Sequence, residues 1–403
     1  MKVLAVNVGS TSFKYKLYDF SNNKILAKGK FENIGSSVSF VKHEINNQEL
    51  NLTYLVSDFF NAVKDMVNLL LEPENAILNS LSDLSGIGFK TVHAGSLNNP
   101  TIITQEVINK MANYNDVAPA HNPAYIQVIN SFQKLVPHVP LVAVFETWFH
   151  KDIKEHVYVY GLPYEWVQNY GIRKYGFHGA SFRYISERVP ELLGNKNNEL
   201  KIVACHLGGS SSVCAIDNGI SIDTSMGFSP QSGLPMGTRC GNIDVFSIFH
   251  LMEKENISLA EMKTILTKRS GITGISGIGT DFRDLEIESN KGNHRAKLAI
   301  DNYVYNVIHF IGAYNVLLGG LDVLVFTGGI GENGNFIRKK ICNDLACIGL
   351  FLDSEKNSQC KGQEMVISTD ESPKQILVVP TNEEWIVARE TMNLIKNQDV
   401  FIE

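Results

Sequence analysis

Apolar residues gather along the chain in short runs that break at turns rich in glycine and serine. Lys2–Val8 is apolar nearly throughout and predicts a strand buried on both faces. The run breaks at Gly9-Ser10-Thr11-Ser12, and Phe13–Tyr18 returns with polar and apolar positions alternating. Lys24–Phe31 predicts a third strand, and Asn51–Leu71 carries helical periodicity that stops near Pro73. Ile87–Val92 is a short strand leading to His93-Ala94-Gly95.

Far downstream the opening pattern recurs. Lys201–His206 is apolar, Gly208-Gly209-Ser210-Ser211-Ser212 turns, and Val213–Ile216 returns toward the hairpin signal Asp217-Asn218-Gly219. An internal duplication, one copy per domain, explains the likeness economically. Lys297–Leu318 predicts a long helix closed by Gly319-Gly320. The strand Asp322–Phe326 then precedes Thr327-Gly328-Gly329-Ile330-Gly331-Glu332-Asn333. A last strand, Ile376–Val379, ends at Pro380-Thr381-Asn382-Glu383-Glu384 and feeds a helix to about Lys396. Strands alternating with helices give an α/β protein with mixed sheets flanked by helices.

The length, 403 residues, divides this pattern between two domains, because a single core stops growing well short of it. The boundary is placed near Phe149: residues 1–148 form the first domain and 149–384 the second, with a helix at about 385–403 returning to the first. Composition narrows the class. A chain 44% hydrophobic and 19% charged is that of an ordinary globular enzyme. Its net charge of −6, without basic blocks, speaks against nucleic acid or an anionic membrane as the main partner. The first ten residues do not read as a signal peptide, and no run approaches the length of a membrane span. Six cysteines without CxxC spacing read as reduced, mostly buried thiols, so a cytoplasmic location is expected.

Chemistry is signalled first by the three glycine-rich turns, each following an apolar strand. Glycine lacks the Cβ that would hold a phosphate away from backbone N–H groups. Any one turn alone is more simply a structural hairpin, but three together point to a polyphosphate ligand. None matches GxxxxGK[ST] or a strand-adjacent GxGxxG, so neither of the common nucleotide loops is indicated. Lys14, Lys90, Arg239 and Arg283 are the basic candidates; Arg239 is flanked by small residues in Met236-Gly237-Thr238-Arg239-Cys240-Gly241. Phosphoryl transfer needs such a cation because the migrating group spreads negative charge over its oxygens. His178 lies between glycines in Tyr175-Gly176-Phe177-His178-Gly179, and His121 and His206 are weaker cases. The acidic candidates are Glu146, Asp281 and either Glu383 or Glu384, of which a Mg²⁺–nucleotide needs one or two.

Together these stretches resemble the acetokinase family, within the actin-like superfamily of acetate and sugar kinases. The likeness runs almost end to end: VNVGSTSFKYKLYD, VAPAHNPA, YGFHGAS, HLGGSSSVCAI, DTSMGFSP, GLPMGTRCGNID, GITGISGIGTDFRDLE, VFTGGIGEN and PTNEEWIVARET. It implies two actin-like (ribonuclease H-like) domains with a duplicated core, a site in a cleft, a homodimer, and ATP-dependent phosphorylation of acetate. By motif, Asn7 and Glu383 would hold Mg²⁺ (or Mn²⁺). Lys14 with His206, Leu207, Gly208, Gly209 and Ser210 would contact the ATP phosphates. Asp281, Phe282 and Arg283, with Gly329, Ile330, Gly331, Glu332 and Asn333, would form the adenosine pocket. Glu146, His178 and Arg239 would be catalytic, and Lys90, Val92, Ala120, Phe177 and Pro230 would bind the small acid.

Some positions depart from the family pattern. Lys90 stands where Arg is usual and keeps the charge without the planar fork. Glu146 replaces an aspartate, and Gly209, Phe182 and Asn242 stand where Asn, His and Asp are common. Ala120 replaces a bulkier leucine, which opens the alternative of propionate or another short-chain acid. A nucleotide-binding paralogue with little turnover is the further alternative that these departures raise.

Overall fold

The computed structural model describes residues 1–45, 48–72, 77–195 and 199–399. Pro73, the expected helix stop, lies outside them. Contacts divide the chain into two units, Met1–Trp148 with Asn382–Glu403, and Phe149–Thr381.

The first unit is built on eight strands: β1 (Lys2–Val8), β2 (Phe13–Asp19), β3 (Lys24–Glu32), β4 (Ser39–Ile45), β5 (Gln48–Tyr54), β6 (Leu84–Phe89), β7 (Thr101–Ile102) and β8 (Leu141–Ala143). Their order is β5-β4-β3-β2-β1-β6-β8-β7. β1 to β5 form an antiparallel meander, whereas β1, β6 and β8 run parallel. The second unit has six: β9 (Lys201–His206), β10 (Ser212–Asp217), β11 (Ile220–Thr224), β12 (Val323–Thr327), β13 (Met365–Val366) and β14 (Gln375–Val378), ordered β11-β10-β9-β12-β14-β13. Here too β9, β12 and β14 are parallel and β9 to β11 antiparallel. The five-strand cores β3-β2-β1-β6-β8 and β11-β10-β9-β12-β14 therefore share one order and one set of directions, which is the duplicated core.

Each sheet is buried by helices laid against it. In the first unit Val3, Ala5, Val142 and Val144 pack on Val387, Ala388 and Ile395 of the helix Glu383–Asp399. That helix lies so close that a Cβ on Gly88 would stand 2.1 Å from Thr391 Oγ1, so only glycine fits there. In the second unit β9 alternates by two. Val203 and Cys205 join the core with Ile300, Val307 and Ile311 of the helix His294–Leu317, while Ile202 and Ala204 meet Phe182, Ile185 and Val189 of the helix Gly179–Leu192.

The helix expected over Asn51–Leu71 is shorter than its periodicity suggested. Residues up to Tyr54 pair with β4, and the helix begins at Phe59, where the Asp58 carboxylate accepts the Asn61 N–H at 2.9 Å. A capping side chain fixed the start that apolar spacing alone misjudged. The strand expected at Ile87–Val92 instead spans Leu84–Phe89, because after Lys90 donates to the Val6 carbonyl the chain leaves the sheet. Asn218 and Gly219 both take positive φ in the two-residue β10–β11 turn, as such hairpins require. Among the described residues no helix is long and apolar enough to cross a membrane.

Among the described residues three histidines are buried: His43, His93 and His150. Burial pushes their pKa from 6.5 down to about 4, 3 and 4 respectively. Each gains a proton on unfolding, so its stabilising share is full above pH 6.5 and is lost as pH falls through the folded value. Stability should fall between pH 6.5 and 5 by up to about 1.4 kcal/mol per unit for each group. Urea denaturation at pH 7 and 5 measures the slope, and His43→Gln should flatten it; an unchanged midpoint at the two pH values would contradict the assignment.

Candidate active site

In the first unit the chemistry collects at the carboxyl ends of the three parallel strands, where α/β sheets commonly bind ligands. Asn7 is near the end of β1, Lys90 directly follows β6, and Glu146 follows β8. Glu383 opens the helix Glu383–Asp399. The Lys90 ammonium lies 2.5 Å from Glu383 Oε2 and 3.9 Å from Glu146 Oε2, with all three side chains largely buried. Burial works against its charge, but the two carboxylates prevail and hold its pKa above the usual lysine value. Neighbouring Glu384 turns instead to Lys16, at 3.2 Å.

Tyr125, on the helix Asn122–Leu135, donates its hydroxyl to Asn7 Oδ1 at 3.2 Å and accepts the Val8 N–H at 3.0 Å. Nothing in the sequence singled it out. Lys14 is exposed and sits directly opposite Asn7 in the β1–β2 register, so the two share a face. Val92 is buried beyond β6, and Ala120 is exposed ahead of the Tyr125 helix. The amide and carboxylate oxygens of Asn7, Glu146 and Glu383 suit Mg²⁺, which takes one or two carboxylates and keeps its waters. An ammonium among them marks the place as one that holds positive charge. Consistent with so sparse a ligand set, no cluster of three His, Cys, Asp or Glu fit for a metal occurs among the described residues.

In the second unit three loops converge on the turn between β9 and β10. The Leu207 N–H donates to the Thr327 carbonyl at 2.8 Å, and the Leu207 carbonyl accepts from Ile330 at 2.8 Å and Gly331 at 3.1 Å. Gly237 donates to the Gly209 carbonyl at 3.2 Å, which brings in the loop of Arg239. Arg239 Nη1 donates to Ser210 Oγ at 3.1 Å and to the Pro230 carbonyl at 3.0 Å. No carboxylate pairs with this half-buried guanidinium among the described residues, and burial lowers its pKa. An arginine stays charged regardless, so its charge faces the site uncompensated.

His178 adopts a left-handed backbone, φ 59°, at the head of the helix Gly179–Leu192. Such a conformation costs a non-glycine residue about 1–3 kcal/mol and is kept only where the surroundings enforce it. Its Nδ1 meets Ser212 Oγ at 2.7 Å, and its ring stacks on His206 with centroids 4.1 Å apart. Ser181 in turn meets His206 Nδ1 at 2.8 Å. Gly176, with φ +78°, leaves no room for a side chain beside His150, whose Nε2–H donates to the Phe177 carbonyl at 2.9 Å. His178 and Arg239 are therefore both fastened to the hairpin His206–Ser212.

The other nucleotide residues are placed less uniformly. Phe282 is in the core against Tyr303, with ring centroids 4.8 Å apart. Asp281 caps the helix Phe282–Asn290 and pairs with the exposed Arg283 at 2.5 Å. Gly329 and Asn333 are exposed on the short helix Gly328–Asn333, whereas Glu332 Oε1 is occupied by the N–H groups of Gly328 and Thr381. Beneath this turn lies Arg338, fully buried, which sequence reasoning missed. Its guanidinium donates to the carbonyls of Gly331, Glu332, Asn357 and Cys360 and to Asn357 Oδ1, at 2.8–3.0 Å. An arginine among the lysines of an amphipathic helix gives no signal of this.

With both sites described, the sequence can be set beside known proteins. The profile of the acetokinase family matches residues 2–389. The chain belongs to the acetokinase family. It is 46% identical to acetate kinase of Dictyoglomus thermophilum over 397 residues, 98% of this chain and 99% of that one. Acetate kinase of Thermoanaerobacterium thermosaccharolyticum is 44% identical over 399 residues, 98% and 100% of the two chains. Among solved structures, Porphyromonas gingivalis acetate kinase aligns with a TM-score of 0.88 at 39% identity, covering 98% and 99%. A propionate kinase from Francisella tularensis aligns at 0.90 with 35% identity, covering 97% and 99%. The fold is accordingly that of the acetokinase family, two actin-like domains of the ribonuclease H type.

Arg338 offers a test of this local architecture. Arg338→Met strands five acceptors beneath the glycine turn and should lower stability by about 3 kcal/mol or more. Urea denaturation measures the loss; wild-type stability in the variant would show that the buried bonds contribute nothing.

Proposed function

We propose that the protein transfers the γ-phosphoryl group of ATP reversibly and in line to acetate, giving acetyl phosphate and ADP. The observation that carries this is the fastening of His178 and Arg239 to one glycine-rich hairpin, with the guanidinium free of carboxylate partners among the described residues. Such a set is suited to an anion that gains no proton but redistributes charge as it transfers. Of the hairpin residues, Leu207 and Gly208 spend their N–H groups inside the protein, on Thr327 and on Ser211 Oγ. That leaves Gly209 and Ser210 to donate to phosphate oxygens. With Nδ1 of His178 engaged by Ser212 Oγ, Nε2 would be the edge turned to the phosphoryl group.

The acceptor is already ionised at neutral pH, so its attack on phosphorus needs no general base. Glu146 would then serve to orient Lys90, and Lys90 to hold the acid's carboxylate. Asn7 and Glu383 would hold Mg²⁺ or Mn²⁺, which neutralises charge on the nucleotide phosphates. Tyr125 keeps the Asn7 amide in one orientation throughout. Asp281, Arg283, Gly329 and Asn333 would border the adenosine. A second reading, propionate or another short acid, is favoured by Ala120, a small exposed residue at a position expected to line the acyl pocket. The cytoplasm is the compartment that this reading implies.

Assembly as a homodimer belongs to the same proposal. On one face of the helix Val245–Lys254, Val245, Phe246 and Phe249 are exposed, and Phe246 is 74% so. A contiguous apolar face of this kind is typical of a surface that another copy covers.

Purified protein with ATP, Mg²⁺ and hydroxylamine should form hydroxamate from acetate. No product from C2 to C4 acids at high protein concentration would end the kinase reading. Arg239→Ala should lower kcat on the order of 10²- to 10³-fold, the loss typical of one transition-state donor. Comparing kcat/KM for acetate and propionate separates the two acids, since a methylene is worth roughly 1–3 kcal/mol. For assembly, Phe246→Glu with Phe249→Glu should convert a dimer to a monomer in light scattering; an unchanged mass would place the contact elsewhere.

A further inference from the structure

The acidic pair of the first unit is met by a cation that belongs to the chain itself. Lys90 Nζ is 2.5 Å from Glu383 Oε2, the oxygen-bearing group assigned above to the metal, and only 3.9 Å from Glu146 Oε2. The backbones carrying these side chains are fixed. The Lys90 N–H donates to Val6 at 3.0 Å and the Glu146 N–H to Thr91 at 2.8 Å. Glu383 rides on a helix that leaves no space above Gly86 and Gly88. Only the side chains can rearrange, and lysine, a compact charge on a flexible four-carbon stem, rearranges readily.

Competition for Glu383 then links two ligands. A divalent cation that takes Glu383 must displace the ammonium, and a substrate carboxylate offers that ammonium another acceptor. We propose that Lys90 is a resident counter-ion that holds Glu383 until an incoming carboxylate draws the ammonium away, so that carboxylate and divalent cation bind with positive coupling. The proposal rests on the kinase reading for the identity of both ligands. Glu384 does not substitute for Glu383, because Lys16 engages it at 3.2 Å.

The experiment is Mn²⁺ binding to the nucleotide-free protein, followed by the electron paramagnetic resonance of free Mn²⁺, with sodium acetate or sodium chloride at equal ionic strength. Acetate should tighten Mn²⁺ binding by about fivefold or more, within the usual range of coupling between sites, and Glu383→Gln should abolish the effect. Lys90→Met should bind Mn²⁺ at least tenfold more tightly than wild type without acetate and should no longer respond to it. Lys90→Arg, which retains the charge, should keep the weak acetate-free binding. Equal Mn²⁺ affinity in wild type with and without acetate overturns the proposal, and it does so without any substituted protein. Failure of the kinase reading is seen separately, as absence of hydroxamate, whatever the Mn²⁺ titration gives.

Discussion

Leu207 follows β9 directly, donates its N–H to Thr327 at the end of β12, and takes the N–H groups of Ile330 and Gly331 on its carbonyl. Three hydrogen bonds at one residue thus tie two glycine-rich turns together that lie 120 residues apart in sequence. The arrangement tolerates no side chain at Gly328, where φ is +75° and a Cβ would stand 2.7 Å from Leu207 O. Once this tie is made, the positions of Gly209, Ser210 and Gly329 follow from the parallel pairing of β9 with β12. Arg239 and His178 need only reach the hairpin that the tie has fixed. Arg338 supports the same turn from below through uncharged oxygen acceptors, four backbone carbonyls and Asn357 Oδ1.

The first unit solves a different problem with the same strand ends. There the side chains that follow β6 and β8 are charged, and the Lys90 ammonium lies between the carboxylates of Glu383 and Glu146. A buried ion pair yields little net stability, because desolvating the two charges offsets their attraction. Lys90 with Glu146 and Glu383 therefore adds little folding energy, which fits the ligand exchange proposed above. Arginine at this place would bind a carboxylate through a planar fork and would let go of Glu383 less easily. Lysine gives up that geometry and gains mobility.

Much of this architecture was legible in the residues, for identifiable reasons. β1 and β9 could be bounded to the residue because each is a continuous apolar run ended by Gly/Ser turns, which is a local signal. The helix at 59–71 could not, because residues 51–54 pair with β4 and their apolar positions serve equally well at the period of a strand. Gly176 and Gly179 pointed to a shaped backbone at His178, although the Ser212 hydroxyl that its ring meets lies 34 residues away. Tyr125 and Arg338 escaped altogether. Each matters through hydrogen bonds to atoms that only the folded chain brings near, and a tyrosine or arginine in an amphipathic helix looks the same whether it ends inside or outside. Phe282 shows the converse: the motif around it suggested a ligand contact, while its ring lies in the core against Tyr303.

The two cores share strand order and direction, so their carboxyl ends offer equivalent places for side chains. What differs is charge. The ends of β9 and β12 carry His206 and Thr327 followed by glycines, with Arg239 brought alongside; the ends of β1, β6 and β8 carry Asn7, Lys90 and Glu146. A polyphosphate approaching the second set meets donors and an uncompensated guanidinium, whereas at the first it meets two carboxylates held by one ammonium. The proposed reaction joins two anions: the guanidinium of the second set faces one directly, whereas at the first set the ammonium must leave Glu383 to face the other. The repeat supplies the geometry twice, and a few residues at the strand ends are enough to give the two copies different charge.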